Sequence, residues 1–474
     1  MIAVDRDNPE PYYLQVYKQL AADIEQGLYR PGEQLPSLRS NAALLGVSRN
    51  TIEQAYQMLT QEGYVNARPG SGYVVNQRST KPMRFANFDS SYKASLQLLR
   101  ERADSSSTHK VKYDFAYDAM DPSLFPYAQW TRIHRDVLLG PDNTDICRYA
   151  DKRGLPALRE QIAQYLMREE DIQALPEQIL VLPNTRVSLM TVLGLFMDNK
   201  PTVAIEDPCF PEVVNACHSM EFPVYPYRVY PDNSWQGFVT NDQNARLLVT
   251  TPFNQYPTNA SMTLSDKQAL VEWAEDSDAY IVEDNYCREF HFGNEHPPSL
   301  HALDTAGRVI SMGTFSKSLA PSLCTSYLVL PPKLMMRWLD MPNTLIHTPV
   351  PWPLQATLAQ FMNEGLWYQH LRKIQNAYRS KYRTLVEALD KHLGDKVSYL
   401  DYENGLHVLI KTNDDRSSSE LLKTALKEGV RLYPTEQDFV GPAPEGWNYV
   451  LLGYSAIPLD QVEEGIQALA QAWL

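Results

Sequence analysis

The chain has 474 residues, with 57 acidic against 43 basic side chains and a formal net charge of −14 at pH 7. That charge excludes indiscriminate nucleic-acid binding by the whole molecule, although it leaves room for a local DNA-reading face. The length predicts more than one domain, and no apolar run reaches membrane-spanning length. The five cysteines form no C-x-x-C or Cys/His pattern, and from the acidic start of the sequence we expect no signal peptide. We therefore expect a cytoplasmic protein with reduced thiols, no metal site and no membrane partner.

The first segment of the chain predicts three helices followed by a β-hairpin. Apolar side chains at three- and four-residue spacing predict a helix from Tyr12 to Glu25. Ser37 can cap a second helix, from Leu38 to Leu45, and Ser48 a third, from Arg49 to Glu62. A glycine-rich tip between two short strands completes the pattern of a winged helix-turn-helix. A small helical module for protein contacts is the alternative.

Candidate DNA-binding residues lie at the start of the third helix, at the start of the second helix and at the hairpin tip. Polar and basic side chains at the N-terminus of the third helix suit base edges and phosphates. The arginine of the second helix suits a phosphate, and the tip suits the DNA backbone or the minor groove. The candidates are Arg39, Ser48, Arg49, Asn50, Thr51, Arg68, Gly70 and Gly72.

Three sequence runs in this segment carry a family resemblance. PGEQLPSLR at 31–39, VSRNT at 47–51, and EGY followed by RPGSGY within 62–73 resemble the GntR-type winged helix. The resemblance implies that residues 1–76 form a DNA-binding domain whose partner is a double-stranded DNA operator. Residues 77–112 are largely polar, with one short predicted helix between Tyr92 and Arg102, and we interpret them as a linker.

From residue 113 onward, predicted strands and helices alternate, which indicates an α/β domain over 113–474 with a mainly parallel sheet. Polar residues lie just past the ends of five apolar runs that we interpret as strands. In an open parallel sheet, ligands bind at the edge formed by the carboxyl ends of the strands. The predicted strands are Ile179–Leu182, Thr202–Ile205, Arg246–Thr250, Ala279–Val282 and Val309–Ser311. The side chains expected to converge at that edge are Asn184, Phe210, Asn254, Asp284, Tyr286 and Lys317.

These side chains suit pyridoxal phosphate, because each has a use toward one part of that cofactor. Lys317 can form a Schiff base with the aldehyde, and Asp284 can pair with the protonated pyridine nitrogen. Tyr286 can donate a hydrogen bond to the ring oxygen, and Phe210 can stack on the ring. Each residue taken singly is more commonly a core residue, a helix cap or a solvated lysine. Their ordered combination favours the cofactor.

The phosphate of such a cofactor would lie where a predicted helix begins. Asn184 and Thr185 open the helix that follows the first strand, and a helix N-terminus attracts phosphate. The hydroxyls of Thr314 and Ser316, next to the lysine, add further contacts.

The order of the motifs also resembles fold-type I aminotransferases. The runs are FPYAQW at 125–130, YAD and GLPALR within 149–159, EDPCF at 206–210, TP and QYPT within 251–258, EDNY at 283–286 and GTFSK at 313–317. A GntR winged helix fused to such a domain resembles the MocR/GabR-like regulators. The resemblance implies a fold-type I pyridoxal-phosphate-dependent transferase-like domain with a small C-terminal α+β subdomain. It also implies a head-to-tail, domain-swapped homodimer in which Tyr149 reaches the phosphate site of the other chain.

Several positions depart from the family pattern. Asn184 stands where the family has a glycine that lets the backbone approach the phosphate closely. Cys324 stands where the family has an arginine, and a thiol cannot replace that phosphate counter-charge. Tyr256 and Asn259 replace an asparagine and a glycine. Arg186 is a hypothetical compensating phosphate contact.

These observations predict a DNA-binding transcriptional regulator whose aminotransferase-like domain senses an amine, or pyridoxal phosphate itself, through the cofactor on Lys317. The predicted strand from Val450 to Tyr454 has no arginine for a substrate carboxylate, and Arg431 is a poor substitute. We therefore assign no catalytic residue and expect no turnover. Two alternatives stay open: an active aminotransferase with a DNA-binding head, and a regulator whose large domain is a cofactor-free dimerisation scaffold.

Overall fold

The computed structural model describes residues 4–6, 8, 10–68, 72–76, 95–99, 111–230, 245–293, 298–342, 350–400 and 403–474. The backbone divides into two compact units, Met1–Thr108 and His109–Leu474. The division falls inside the segment that the sequence predicts as a linker, of which residues 95–99 are described and helical. Among the described residues, no helix is long and apolar enough to cross a membrane.

Among its described residues up to 76, the first unit contains three helices and a two-stranded antiparallel sheet, as the sequence predicts. Its elements are α1 (Tyr12–Glu25), α2 (Leu38–Leu45), α3 (Arg49–Gln61), β1 (Val65–Arg68) and β2 (Gly72–Val75). Ile52 and Tyr56 of α3 are fully buried in the core of this unit. The Tyr56 hydroxyl donates to the Pro36 carbonyl at 2.9 Å and accepts from the Asn41 amide at 3.0 Å. These contacts fix α3 against the turn that precedes α2.

The second unit is built around a seven-stranded sheet. The strands of the whole unit, of which seven form this sheet, are in chain order β3 (Tyr113–Asp114), β4 (Ile179–Leu182), β5 (Thr202–Asp207), β6 (Val224–Arg228), β7 (Ala245–Thr250), β8 (Tyr280–Asp284), β9 (Val309–Thr314), β10 (Ser326–Val329), β11 (Val397–Tyr399), β12 (His407–Thr412), β13 (Val430–Arg431), β14 (Tyr433–Pro434) and β15 (Val450–Gly453). The large sheet has the order β4-β10-β9-β8-β7-β5-β6. Only β10 runs antiparallel to its neighbours, so the other six strands end at one common edge.

Helices cover both faces of this sheet because alternate strand residues point to opposite sides. Leu247 packs in one apolar cluster with Leu189 of the helix after β4, whereas Leu248 packs in another with Leu270 of the helix after β7. The helices of the unit are α4 (Tyr127–Leu139), α5 (Pro156–Glu169), α6 (Thr185–Gly194), α7 (Pro211–Ser219), α8 (Leu264–Asp276), α9 (Leu300–Leu303), α10 (Pro332–Leu339), α11 (Trp352–Asn363), α12 (Leu366–His392), α13 (Ser418–Lys427) and α14 (Leu459–Trp473).

A smaller antiparallel sheet with the order β11-β12-β15-β14 forms the C-terminal part of this unit. Its apolar side chains join the buried side chains of α12 and α14 in one cluster, as an α+β subdomain requires. Helix α6 begins at Thr185, directly after Asn184, whose side chain caps it. Several predicted elements differ from the observed ones by one to three residues at an end: α3 ends at Gln61, β5 at Asp207 and β9 at Thr314.

Candidate functional site

The first candidate site is the solvent-exposed start of α3. The Ser48 hydroxyl accepts the backbone N–H of Thr51 at 3.1 Å, and the two hydroxyls lie 2.8 Å apart. Ser48 therefore acts as the helix cap and orders the first turn. Arg49 and Asn50 in that turn are exposed, so their side chains are free of the core.

The other predicted DNA-binding residues are also on the surface of the first unit. Arg39 in the first turn of α2 and Arg68 at the end of β1 are exposed. Gly72 begins β2 with a φ of 74°, a left-handed conformation that glycine adopts without strain. Gly70 lies outside the described residues.

The second candidate site is a cavity of about 470 Å³ at the common edge of the large sheet. The register explains its position, since Ser326 at the start of β10 lies opposite both Leu182 and Thr314, the last residues of β4 and β9. The predicted cofactor residues that line it are Asn184, Thr185, Phe210, Asp284, Tyr286, Thr314, Ser316 and Lys317, together with Arg186. Residues from four different segments of the chain thus meet in one cavity.

Lys317 reaches into this cavity from the turn that follows β9. Its Nζ donates to the Tyr117 carbonyl oxygen at 3.1 Å and lies 4.2 Å from the centre of the Tyr117 ring. Burial lowers the pKa of Lys317 to about 8, although nearby acidic groups, among them Asp118 and Asp284, oppose that shift. A lysine with a lowered pKa supplies the neutral amine that a carbonyl compound requires.

Asp284 ends β8 beneath the cavity, and it is 7% exposed. Burial and the neighbouring Glu206 raise the pKa of Asp284 to about 7, while Lys317 lowers it. The Glu206 carboxylate is held by Thr250 and Thr251, whose hydroxyls donate to it at 2.6 Å. The Asp284 Oδ1 atom, in contrast, has no hydrogen-bond partner among the described residues. A buried acceptor of this kind costs free energy unless a ligand supplies a donor.

The two ends of the cavity, at Tyr286 and at Asn184, differ in how their polar groups are used. The Tyr286 hydroxyl is buried without a hydrogen-bond partner in the described part of the chain. At the other end, the Asn184 side chain accepts the backbone N–H of Val187 at 3.0 Å and is occupied as a helix cap. The Thr314 hydroxyl accepts the backbone N–H of Ser316 at 3.1 Å, which fixes the turn before the lysine.

Arg186 lines the cavity, but its guanidinium already forms an ion pair with Glu212. The hydrogen bond that Arg186 donates to the Glu212 carboxylate raises the pKa of Arg186, and the Arg186 side chain is exposed. Any contact of Arg186 with a phosphate would therefore compete with, or be shared with, the Glu212 carboxylate.

Three other residues considered from the sequence lie apart from the cavity lining. Asn254 is buried, and its amide donates to the Cys287 carbonyl oxygen at 3.0 Å, so the expectation that it joins the cavity was wrong. Cys324 is exposed with a φ of 43°. Tyr149 is 98% exposed and does not line the cavity of its own chain.

Sequence reasoning missed one wall of the cavity, which consists of Tyr117 and Asp118. The Tyr117 ring packs against Tyr256 with the ring centres 5.1 Å apart, and Tyr256 packs against Phe210 at 5.8 Å. The wall follows the two-residue strand β3, which has no periodicity that a sequence pattern could detect. The one signal in the sequence was Tyr256, which stands where the family has an asparagine. Its large ring needs a packing partner, and that partner is Tyr117.

Comparisons with known proteins support both halves of this description. Residues 12–75 match the family described as bacterial regulatory proteins, gntR family, and residues 129–448 match aminotransferase class I and II. The chain is 32% identical to the HTH-type transcriptional regulator YhdI of Bacillus subtilis (strain 168), over 99% of this chain and 97% of that protein. It is 29% identical to the probable rhizopine catabolism regulatory protein MocR of Rhizobium meliloti, over 100% and 96%.

A third relative is the pyridoxine biosynthesis transcriptional regulator PdxR of Corynebacterium glutamicum, 26% identical over 96% of this chain and 94% of that protein. Among solved structures, the α-aminoadipate aminotransferase LysN of Thermus thermophilus aligns with a TM-score of 0.69 at 22% identity, covering 79% of this chain and 94% of that one. An archaeal alanine:glyoxylate aminotransferase aligns with the same TM-score at 21% identity, over 81% and 95%. These likenesses establish the fold-type I aminotransferase fold of the second unit.

Proposed function

This chain belongs to the MocR/GabR-like subfamily of GntR regulators, and from that membership we propose that its second unit senses a small molecule through pyridoxal phosphate held on Lys317. The observation that carries the proposal is the buried, unpartnered Oδ1 atom of Asp284 at the base of a cavity that also contains Lys317. A protonated pyridine nitrogen is the donor that such an acceptor needs. When bound, the cofactor supplies an aldehyde carbon that amines attack.

The other residues of the cavity fit the same cofactor. Tyr286 offers a free hydroxyl for the ring oxygen, and Phe210 offers a ring face. The backbone N–H groups at the start of α6, next to Thr185, suit a phosphate. The name of the relative PdxR, a regulator of pyridoxine biosynthesis, and the phosphopyridoxyl-leucine complex of LysN are consistent with a cofactor of this kind.

We further propose that the regulator binds a DNA operator as a homodimer, through the exposed start of α3. In such a dimer, Tyr149 would contact the phosphate site of the other chain. The 98% exposure of Tyr149 supports this role, because a fully exposed tyrosine in a single chain is available to a partner. An amine effector would replace Lys317 on the cofactor and thereby shift the conformation of the dimer.

The proposal is tested by visible absorption of the full-length protein incubated with pyridoxal phosphate. We expect the band of lysine-bound cofactor in the wild type and its loss in Lys317→Ala, with the band retained in the control Lys333→Ala, whose exposed lysine lies in α10. Absence of the band in the wild type would leave the second unit as a dimerisation scaffold. Steady conversion of an amino donor and a keto acid would instead identify an aminotransferase.

A further inference from the structure

The Asn184 end of the cavity holds a cation and an anion that already pair with each other. Arg186 lies in the first turn of α6 and Glu212 in the first turn of α7, and the Glu212 carboxylate accepts a hydrogen bond from the Arg186 guanidinium. Both side chains line the cavity, and they are 57% and 26% exposed. The ion pair therefore lies in the cavity wall and is accessible to a ligand that enters.

A pyridoxal ring held by the groups proposed above would direct its phosphate toward this pair. The ring oxygen and the carbon that bears the phosphate flank the aldehyde carbon on opposite sides of the ring. With the aldehyde carbon at Lys317 and the ring oxygen toward Tyr286, the phosphate would face the other end of the cavity, at Asn184. The backbone N–H groups at the start of α6 attract an anion at that end.

The cavity has few positive charges for such a phosphate. Arg186 is the one arginine among the described lining residues, and the lining lysine, Lys317, is taken by the aldehyde. Between residues 111 and 474, the segments that the structure leaves undescribed contain no arginine or lysine: 231–244, 294–297, 343–349 and 401–402. A phosphate monoester carries about −1.5 to −2 charges at pH 7, so the phosphate and the Glu212 carboxylate would compete for one guanidinium.

The positions of Arg186 and Glu212 in their helices favour an exchange of partners. A cation at a helix N-terminus is unfavourable, so Arg186 needs an anion whether the cofactor is present or absent. An anion at a helix N-terminus is favourable, so the half-buried Glu212 is still stabilised by the dipole of α7 after Arg186 leaves it. In the cofactor-free protein, the Glu212 carboxylate thus supplies the negative charge that the phosphate would supply in the loaded protein.

We propose that Glu212 is an internal competitor of the cofactor phosphate, which lowers the affinity for pyridoxal phosphate and leaves the affinity for an unphosphorylated pyridoxal unchanged. This inference rests on the proposed function, because it requires a cofactor on Lys317. Binding forms an ion pair between Arg186 and the phosphate and breaks the ion pair between Arg186 and Glu212. Glu212 therefore determines how strongly the cavity prefers a phosphorylated cofactor.

The test compares two probes that differ only in the substituent on one ring carbon: pyridoxal phosphate, and 5-deoxypyridoxal, which has a methyl group in place of the phosphate ester arm. Each is titrated into full-length wild type and Glu212→Gln, and the absorption of the lysine-bound aldehyde gives the dissociation constant. We expect Glu212→Gln to bind pyridoxal phosphate about three- to tenfold more tightly, because a partly exposed ion pair no longer has to break and one like charge is removed. Its affinity for 5-deoxypyridoxal should equal that of the wild type, which also shows that the cavity is intact.

A double-mutant cycle with Arg186→Ala tests whether Glu212 acts through the ion pair. Arg186→Ala alone should weaken the binding of pyridoxal phosphate about tenfold, because the charged hydrogen bond to the phosphate is lost. In that background, Glu212→Gln should gain much less affinity than it does beside Arg186. The control Glu272→Gln removes an exposed carboxylate of α8 that does not line the cavity, and it should change the affinity for neither probe.

Three results would overturn the inference. The first is a Glu212→Gln variant that binds pyridoxal phosphate no more tightly than the wild type, and the second is an equal gain for both probes. The third is a gain of full size in the Arg186→Ala background, since Glu212 would then act without the ion pair. If neither probe gives an absorption band with the wild type, it is the proposed function that fails, and the inference fails with it.

Discussion

The start of α3 and the cavity at Lys317 differ in what happens to their functional groups in the absence of a ligand. At α3, Arg49 and Asn50 are exposed, so water satisfies them. In the cavity, Asp284 Oδ1 is buried without a partner among the described residues, and the pKa of Lys317 is lowered to about 8 by burial. The proposed DNA-binding face at the start of α3 can therefore be changed at little cost to the stability of its own fold. In the cavity, burial of these groups costs free energy that a ligand would recover.

The substitution Asp284→Asn gives the strongest test of this difference between the two sites. We expect its affinity for pyridoxal phosphate to fall at least about 100-fold, because a buried charged hydrogen bond to the cofactor is worth several kcal/mol. Absorption titration of the wild type, Asp284→Asn and the exposed control Asp340→Asn measures the effect. An unchanged affinity in Asp284→Asn would mean that Asp284 does not contact the cofactor.

The same substitution should stabilise the cofactor-free protein at high pH. Burial raises the pKa of Asp284 to about 7 from 3.8, so the native state binds more protons than the unfolded state between these values. Stability is therefore lost as pH rises through that window, and asparagine removes the loss. We expect Asp284→Asn to raise the free energy of unfolding by on the order of 2–4 kcal/mol at pH 8, and by less at pH 5. Urea unfolding at the two pH values without cofactor decides this, and a gain of equal size at both would contradict it.

Ile52→Ala tests whether the two units are independent. Ile52 is fully buried in the core of the first unit, so we expect a loss of about 2–5 kcal/mol there and loss of DNA binding. The control Ile52→Val should cost about 0.5–1.5 kcal/mol. Thermal unfolding and cofactor absorption, measured together, should show the second unit unchanged. A parallel loss of cofactor binding would show that the units stabilise each other.

Replacing Arg39 and Arg49 together by alanine tests whether the exposed site of the first unit binds DNA. We expect operator affinity to fall about 10- to 100-fold, with a weaker salt dependence, since in the proposed DNA-binding surface each arginine would contact a base edge or a phosphate. The operator is obtained by selection from random-sequence DNA with the wild-type protein, and fluorescence anisotropy measures binding. Arg383→Ala removes an exposed arginine of α12 and serves as the control for lost charge. Equal affinities of the two proteins would move the DNA-binding surface elsewhere.

The smallest expected effect is that of Ser48→Ala. Its hydroxyl caps α3 through the Thr51 N–H, so the first unit should lose about 1 kcal/mol. Ser48→Asp, which keeps a capping oxygen, should restore most of that stability in thermal unfolding. If alanine and aspartate behave alike, the cap is not what orders the start of α3.

The two regions also differ in how much of them the sequence predicts. The periodicity of Ile52 and Tyr56 and the capping serine at Ser48 specify the winged helix locally, because its contacts join neighbouring segments. In the cavity, Asp284 and Lys317 were predictable, since Asp284 lies two residues after one apolar run and Lys317 lies in the turn after another.

The rest of the cavity depends on contacts between distant segments. Tyr117 and Asp118 reach it only because β3 pairs with β13, more than 300 residues later in the chain. The ion pair between Arg186 and Glu212 joins two separate helices, and the sequence gives no sign that the two side chains meet. The expectation for Asn254 was wrong for a similar reason, because its amide donates to the Cys287 carbonyl oxygen, 33 residues later in the chain.

The central claim, that Lys317 holds pyridoxal phosphate in a DNA-binding regulator, is tested most directly by chemical trapping. The full-length protein is incubated with pyridoxal phosphate, reduced with borohydride and digested, and the modified peptide is identified by mass spectrometry. We predict one phosphopyridoxyl group per chain, on Lys317. No modification, or modification spread over exposed lysines such as Lys333 and Lys391, would contradict the claim.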